Sequence, residues 1–333
     1  MDCSARIDWE VTFWDVGQGD ATSIKLPDGR FVLIDTGPFS NNPLVSWFLQ
    51  DVSARRIEAI AVTHNDADHV GGLHKLAGHE TLVINQVFLV HDPKTRNDDN
   101  DGRFSDLLRP LRARKHGRTI TRTLERDRVI AEDNTLRLIA RHPDFIASQD
   151  ARTPNQASSV LSLERKEDNS ILVIWGGDAL LKTICTIYSG RQSTVLMGPH
   201  HGAPQDRPRN SQSFSGLLEE ISPQTIFISV GNRNRHRHPA RDYVVGATKI
   251  GTVVCCSQIT EQCLKIGEIY KPVFQGNGRL GLPAPSGAIP CRGAMRIRVN
   301  AGGVIPDADQ EKWTYALTEK VSRPMCRKVN RIR

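Results

Sequence analysis

The chain predicts an α/β layered fold, and three observations carry that expectation. Short apolar runs alternate with turn signals along most of the chain. Some neighbouring runs are joined by tight hairpins, whereas others are separated by stretches with helical spacing. Hairpins and crossovers together imply mixed sheets flanked by helices, not a purely parallel winding. At 333 residues the chain can bury a sizeable core, in one large domain or one domain plus an appendage.

Residues 10–15 (EVTFWD), 21–26 (ATSIKL) and 30–35 (RFVLID) read as strands, with Pro27-Asp28-Gly29 closing the last two as a hairpin. Residues 43–52 (PLVSWFLQDV) read as a helix with proline in its first turn. The run 57–62 (IEAIAV) reads as a buried strand that delivers THNDADH at its C-terminal end, and 69–77 as the next helix. Beyond it, 82–90 reads as a strand, 104–115 as a helix, 135–140 as a strand and 142–154 as a polar loop. Residues 158–163 and 171–175 form an expected hairpin around Glu167-Asp168-Asn169. A helix over 179–188, a strand over 194–197, a helix near 213–221 and a strand over 225–230 continue the pattern. After about Gly251 the rhythm fades and Gly, Pro and Cys dominate. Residues 1–250 are therefore expected to form the main domain, and 251–333 a C-terminal extension with a basic tail.

Composition excludes some classes. No run approaches the roughly 18 apolar residues of a membrane span. The start, MDCSARIDWE, lacks the basic and apolar blocks of a signal peptide, so the expectation is a stand-alone cytoplasmic protein with no membrane partner. Seven cysteines without a repeated spacing read as thiols, not as a disulfide framework. Cys255, Cys256, Cys263 and Cys291 match no standard zinc pattern, so buried thiols are the favoured reading there. The net charge of +7 is unevenly spread. Residues 103–128 hold nine Lys/Arg against three acids, residues 320–333 hold six and no acid, and Arg233, Arg235, Arg237 and Arg241 crowd one loop. Such runs are usually solvated faces. The last of them interleaves with His236 and His238, beside the candidate chemistry, and that favours a polyanionic partner.

The residues just past the strand ends suggest metal chemistry. His64, Asp66, Asp68 and His69 come after the run 57–62, Gly176-Gly177-Asp178 after 171–175, Gly198-Pro199-His200-His201-Gly202 after 194–197, and His236 and His238 after 225–230. Loops at strand ends are where sites are built, and glycine lets the backbone approach a bound ion or phosphate.

The ordered series FWDVGQGDATSI, VLIDTG, THNDADHVGG, NQASSVLSLE, IWGGDA, PHHGA and ISVGNRNRHRHP resembles the metallo-β-lactamase fold. Within it, the series is most similar to the hydrolase domain of the competence DNA-uptake (ComEC-type) proteins. The resemblance covers about residues 10–240. It implies an α/β, αββα sandwich, two mixed β-sheets flanked by helices, with metal at the sheet edge and two divalent ions (Mn or Zn, with Mg also compatible). Carried over by position, it places His64 and Asp66 in a first metal subsite and Asp68 and His69 in a second. Asp178 would bridge the ions and His200 would complete the ligand set. His142, in RHPD, stands near the place of a further first-site histidine, although a plain loop histidine before proline is the simpler reading. His238 would touch substrate or leaving group, making Asp68, Asp178 and His238 the catalytic candidates. Asn155, Ser158, Asn234, Arg235 and Arg237 would line the substrate, and Asp20, Asp35 and His201 would orient ligands from behind. Two departures stand out: His and Arg replace the Tyr and Gly usual before His238, and Ala203 replaces the Ser usual after HHG.

Asp66 stands where the superfamily usually has His. A carboxylate there hardens the subsite towards manganese or magnesium. A metal pair activates water and clamps a phosphoryl oxygen, so no protein nucleophile is required, and no Ser/His/Asp or Cys/His triad or P-loop is evident. The expectation is a metal-dependent phosphodiesterase, foremost a nuclease acting on DNA, with defence against foreign DNA as one setting. The alternatives are a hydrolase of a small phosphodiester such as a cyclic nucleotide, or of a lactone or ester, and a nucleic-acid- or partner-binding module with a vestigial site.

Overall fold

The computed structural model describes residues 8–51, 56–91, 109, 111, 119–203, 213–232, 234–263, 282–306, 321 and 325–326. The expected helix over 104–115, Arg233 and most of the two long basic runs lie outside them.

Among the described residues two mixed β-sheets stack face to face with helices on both outer faces, the expected αββα sandwich. The first half of the chain supplies β1 (Trp9–Phe13), β2 (Ala21–Lys25), β3 (Phe31–Thr36), β4 (Arg56–Val62), β5 (Val83–Leu89) and β6 (Ile120–Thr123). Next come β7 (Val129–Glu132), β8 (Leu136–His142), β9 (Val160–Arg165), β10 (Ile171–Trp175), β11 (Ser193–Met197) and β12 (Thr225–Ile228). The chain past residue 250 adds β13 (Val253–Cys256), β14 (Met295–Asn300) and β15 (Gly303–Pro306). The first sheet runs β15-β14-β1-β2-β3-β4-β5-β6 and the second β13-β12-β11-β10-β9-β8-β7. Hairpins make β1–β3 and β7–β10 antiparallel, whereas β3–β6 and β10–β13 are parallel. β14 lies antiparallel to β1, so late chain and early chain share one sheet.

Period-two burial sorts the strand residues. In β4, Ala59 and Ala61 face the inter-sheet core, and Ile60 and Val62 face the helices α1 (Pro43–Gln50) and α2 (Ala67–Gly78). Between the sheets Trp9, Phe13, Trp175 and Phe227 pack without exposure above 2%. The outer face of the second sheet is covered by α4 (Leu181–Tyr188), α5 (Phe214–Glu219) and α6 (Arg241–Lys249). Burying both faces of the central strands explains their nearly unbroken apolar runs.

The structure departs from expectation at a few elements. The polar stretch 142–154 holds a short helix, α3 (Phe145–Asp150), whose start is capped by Asp144 accepting from the Ala147 amide at 2.7 Å. Its single turn and a half is too short to show a periodic apolar face. β6 and β7 carry only one buried residue between them, Ile130, which leaves no alternation to read.

Candidate metal centre

Every loop of the candidate site leaves a strand at the same edge of the sandwich. Strands β1, β3 and β4 run one way in their sheet, and β8, β10, β11 and β12 run one way in theirs. The chain after β4 is buried at Thr63 and His64. Asp66 then caps α2 from extended backbone, its carbonyl accepting from the His69 and Val70 amides at 2.9 and 3.0 Å. The helix thus starts at Ala67, two residues earlier than expected, and carries Asp68 and His69 in its first turn. A negative side chain is favoured there by the helix dipole. Gly71 and Gly72 seat this turn against the loop after β3. A Cβ at Gly71 would stand 2.4 Å from Phe39 N, and one at Gly72 2.3 Å from Thr36 O.

The second sheet supplies the opposing wall. Gly177 follows β10 with φ +49, and a Cβ there would stand 2.5 Å from Thr63 Oγ1 and 2.6 Å from Ser158 Oγ. Only glycine allows this approach, which brings Asp178 against the end of β4. The Asp178 amide donates to Ser158 Oγ at 3.0 Å. After β11, His200 and His201 both adopt left-handed backbone, φ 49 and 53. The His200 amide donates to Gly177 O at 2.8 Å, and the Ala203 amide to His200 O at 2.9 Å, which holds that geometry.

Asp178 is the hub. Its Oδ2 lies 3.5 Å from His64 Nε2 and 3.6 Å from His200 Nε2. Its Oδ1 lies 3.3 Å from His69 Nε2 and 3.7 Å from His201 Nε2. Ligand atoms of His64, His69 and Asp178 gather within 4.8 Å of one another, and so do those of Asp68, His69 and His201. His201, expected behind His200, instead reaches Asp68 Oδ2 at 3.6 Å through Nε2 and Asp20 Oδ1 at 3.3 Å through Nδ1. Asp35 meets His69 Nδ1 at 2.8 Å and accepts from the Thr63 amide and hydroxyl, both at 2.7 Å. A carboxylate on Nδ1 orients the ring so that Nε2 faces Asp178.

The electrostatics reflect this crowding. Burial alone would raise Asp178, but the rings of His69, His64 and His201 outweigh it and hold the carboxyl well below its ordinary range. Asp68 is likewise lowered: burial opposes ionisation, and His201 and His69 overcome it. Burial would lower His69, yet Asp178 and Asp35 push it well above its usual value. His201 rises to about 10, its burial offset by Asp20, Asp178 and Asp68. Several buried atoms aimed at the centre have no hydrogen-bond partner: His64 Nε2, His69 Nε2, Asp178 Oδ1 and His201 Nε2. Buried polar atoms are rarely left so. Imidazole nitrogens and carboxylate oxygens gathered in this way fit divalent cations.

The other candidates divide. Asp66 Oδ2 stands 3.9 Å from His64 Nε2 with 31% of its side chain exposed, at the open side of the cluster. Asn155 Nδ2 is 3.4 Å from His200 Nε2. The His238 ring is 5.7 Å from His200 and 6.0 Å from His201, centroid to centroid. Burial and the neighbouring rings of His201, His200 and His236 lower His238 to about 4, so it is neutral near pH 7. Asn234 fixes its loop by donating to Gly231 O and His238 O and accepting from the His238 amide. Arg235 and Arg237 sit exposed on that loop. His142 belongs to neither ligand group; its Nε2 is 3.3 Å from Gln156 O. Thr63 and Gly177 were not among the expected site residues, although both adjoin motif letters. Gln258, which donates to Asp15 Oδ1 at 2.7 Å and accepts from the Asn232 amide at 2.9 Å, carried no sequence signal.

Residues 14–132 match the family model of the Metallo-beta-lactamase superfamily. The chain is 26% identical over 263 residues to ComE operon protein 3 of Bacillus subtilis (strain 168), covering 69% of this chain and 29% of that protein. It is 24% identical over 243 residues to Competence protein ComA of Neisseria gonorrhoeae, covering 69% and 28%. The chain thus spans less than a third of the length of these curated relatives. Among solved structures it resembles the metallo-beta-lactamase fold protein YhfI from Bacillus subtilis, at 11% identity and a TM-score of 0.44 over 74% of this chain and 96% of that one. No helix among the described residues is long and apolar enough to cross a membrane.

Proposed function

The chain carries a metallo-beta-lactamase superfamily domain, and from that premise we propose that it is a metal-dependent phosphodiesterase that hydrolyses DNA. The observation that carries this reading is the arrangement of Asp178 between two ligand groups, with an arginine loop on the rim. Bound divalent ions supply activation of water and neutralisation of phosphoryl charge. His64, Asp66, His69 and His200 would hold them with Asp68, His201 and Asp178, the last presenting one oxygen to each side. Three aspartates in this set bring negative charge that offsets two nearby cations.

The remaining residues do the positioning. Asp35 and Thr63 fix the His69 ring, and Ser158 fixes the backbone of Asp178. His238 is neutral, and its buried Nδ1 has no hydrogen-bond partner; it can donate to a phosphoryl or leaving oxygen when that nitrogen carries the ring proton. Arg235 and Arg237 present guanidinium groups that suit a phosphate chain better than a neutral lactone or ester. The match to Competence protein ComA supports the competence-type resemblance of the motifs on which this reading rests.

The test is cleavage of labelled single- and double-stranded DNA with manganese, magnesium or zinc. Cleavage that falls at least ~100-fold in Asp68→Ala and Asp178→Ala is expected. No cleavage with any of these metals, or full activity in either variant, overturns the reading. Turnover of a cyclic nucleotide that long DNA does not inhibit would replace the substrate and keep the metal chemistry.

A further inference from the structure

One carboxylate closes the back of the histidine cluster. Asp35, next to last in β3, is buried and holds left-handed backbone at φ 52. A non-glycine residue stays in that region because its surroundings hold it there. Here they are three donors. The Thr63 amide donates to Asp35 Oδ1 and the Thr63 hydroxyl to Asp35 Oδ2, both at 2.7 Å. His69 Nδ1 meets the same Oδ2 at 2.8 Å. The Thr63 hydroxyl has a second neighbour, His64 Nδ1, at 3.2 Å. Thr63 is itself fixed on every side. It is fully buried, its carbonyl accepts from the Ser159 amide at 2.6 Å, and Gly177 packs against its hydroxyl.

Hydrogen-bond polarity then assigns both rings. A carboxylate only accepts, and a hydroxyl has one hydrogen to give. The hydrogen of Thr63 is committed to Asp35. Towards His64 the hydroxyl oxygen can only accept, so His64 Nδ1 carries a hydrogen, as His69 Nδ1 does towards Asp35 itself. In a neutral ring the lone pair is then left to Nε2, the nitrogen that faces Asp178 in both histidines. We propose that Thr63 is a positioning residue of the metal centre, whose hydroxyl links Asp35 to His64 and fixes that ring with Nε2 as its ligand atom. One buried carboxylate thus sets two ligand rings, His69 directly and His64 through a single hydroxyl. A hydrogen bond behind a ligand ring holds its orientation and raises its basicity. The two connections differ in reach. His64 belongs to the ligand group with Asp178, whereas His69 belongs to that group and to the one with Asp68 and His201. Thr63 therefore tunes one subsite, and Asp35 tunes both.

The proposal rests on the metal-binding half of the reading above and not on its substrate, so zinc binding and ring spectra test it without DNA. Chelator competition measures zinc affinity in the full chain. Thr63→Val keeps the side-chain shape and the amide bond to Asp35 but deletes the hydroxyl. It is expected to weaken the zinc at the His64 group by about 10–100-fold and to leave the other zinc unchanged, whereas Asp35→Asn weakens both. Thr63→Ser, which keeps the hydroxyl, is expected to bind zinc as the parent does. Long-range proton–nitrogen NMR of the zinc-loaded protein, with His64 assigned by its loss in His64→Gln, should place the ring hydrogen of His64 on Nδ1 and zinc on Nε2. Packing alone does not set that pattern. If Thr63→Val does not fold, the parent spectrum and zinc binding by Thr63→Ser decide. A ring hydrogen on His64 Nε2, unchanged zinc affinity in Thr63→Val, equal loss at both ions in that variant, or a parent that binds no zinc overturns the proposal. Zinc bound in this way without DNA cleavage overturns the substrate reading alone.

Discussion

Single residues set the chemistry of the centre. His201 is the clearest case, because both of its ring nitrogens are buried among Asp20, Asp68 and Asp178. His201→Ala is expected to remove at least one bound ion per chain and to reduce hydrolysis at least ~100-fold, whereas His142→Ala leaves metal content unchanged; elemental analysis of both proteins separates them. Asp15 offers a different test. It is 1% exposed, and desolvation raises it from 3.8 to about 6, against hydrogen bonds from Gln258 and the Gly17 amide. The native state therefore keeps a proton that the unfolded chain releases between those values. The stability contributed by this group is full below pH 3.8 and is lost as pH rises through about 6. Denaturant titration should show Asp15→Asn flattening the pH dependence across that window by about 2–3 kcal/mol. The sequence marked Asp68 as a metal-ligand candidate and left Asp15 as one letter of the DVGQGD turn. Their opposite shifts come from neighbours brought in by folding: histidines around Asp68, and mostly apolar burial around Asp15.

At the scale of elements, the strand–turn–helix unit β4–α2 carries most of the centre, and it was the most legible part of the chain. IEAIAV followed by THNDADHVGG announces a buried strand, a capped turn and a close-packed helix within sixteen letters. What the letters did not show is why both glycines are needed, because Gly71 and Gly72 meet backbone from the loop after β3. Gly72→Ala should lose ~1–3 kcal/mol through overpacking against Thr36 O, Asn42 and Val45. Gly78→Ala, in the same helix with nothing within 4 Å of its added Cβ, should be neutral or stabilising by up to ~1 kcal/mol. Thermal melts of the pair check both. The short helix α3 and the strands β6 and β7 were illegible for the opposite reason. Each is brief, and β6 and β7 are largely exposed, so hydrophobic periodicity has little to register.

For the whole molecule, the decisive feature is that the chain after residue 250 enters both sheets. β13 extends the second sheet beside β12, and β14 pairs with β1 across five residue pairs from Trp9↔Val299 to Phe13↔Met295. A chain cut after Gly293 would leave β1 as an open edge and expose Val11 and Trp9, both fully buried in the intact fold. It is expected to aggregate on size-exclusion chromatography, whereas the full chain stays monodisperse. The same late chain supports the site from outside, since Gln258 connects Asp15 with the Asn232 amide.

The sequence by itself determined the layered α/β class, the strand ends that carry His64 to His69, Asp178 and His200, and the carboxylate-rich character of the set. These are local properties: alternation of side chains, glycine at a turn, the identity of a letter after an apolar run. Only the tertiary structure decided that His201 faces Asp68 and that His142 turns to Gln156 O. Such outcomes depend on left-handed backbone at two adjacent histidines and on how one sheet lies over the other. Contacts between residues tens to hundreds of positions apart leave no period in the chain.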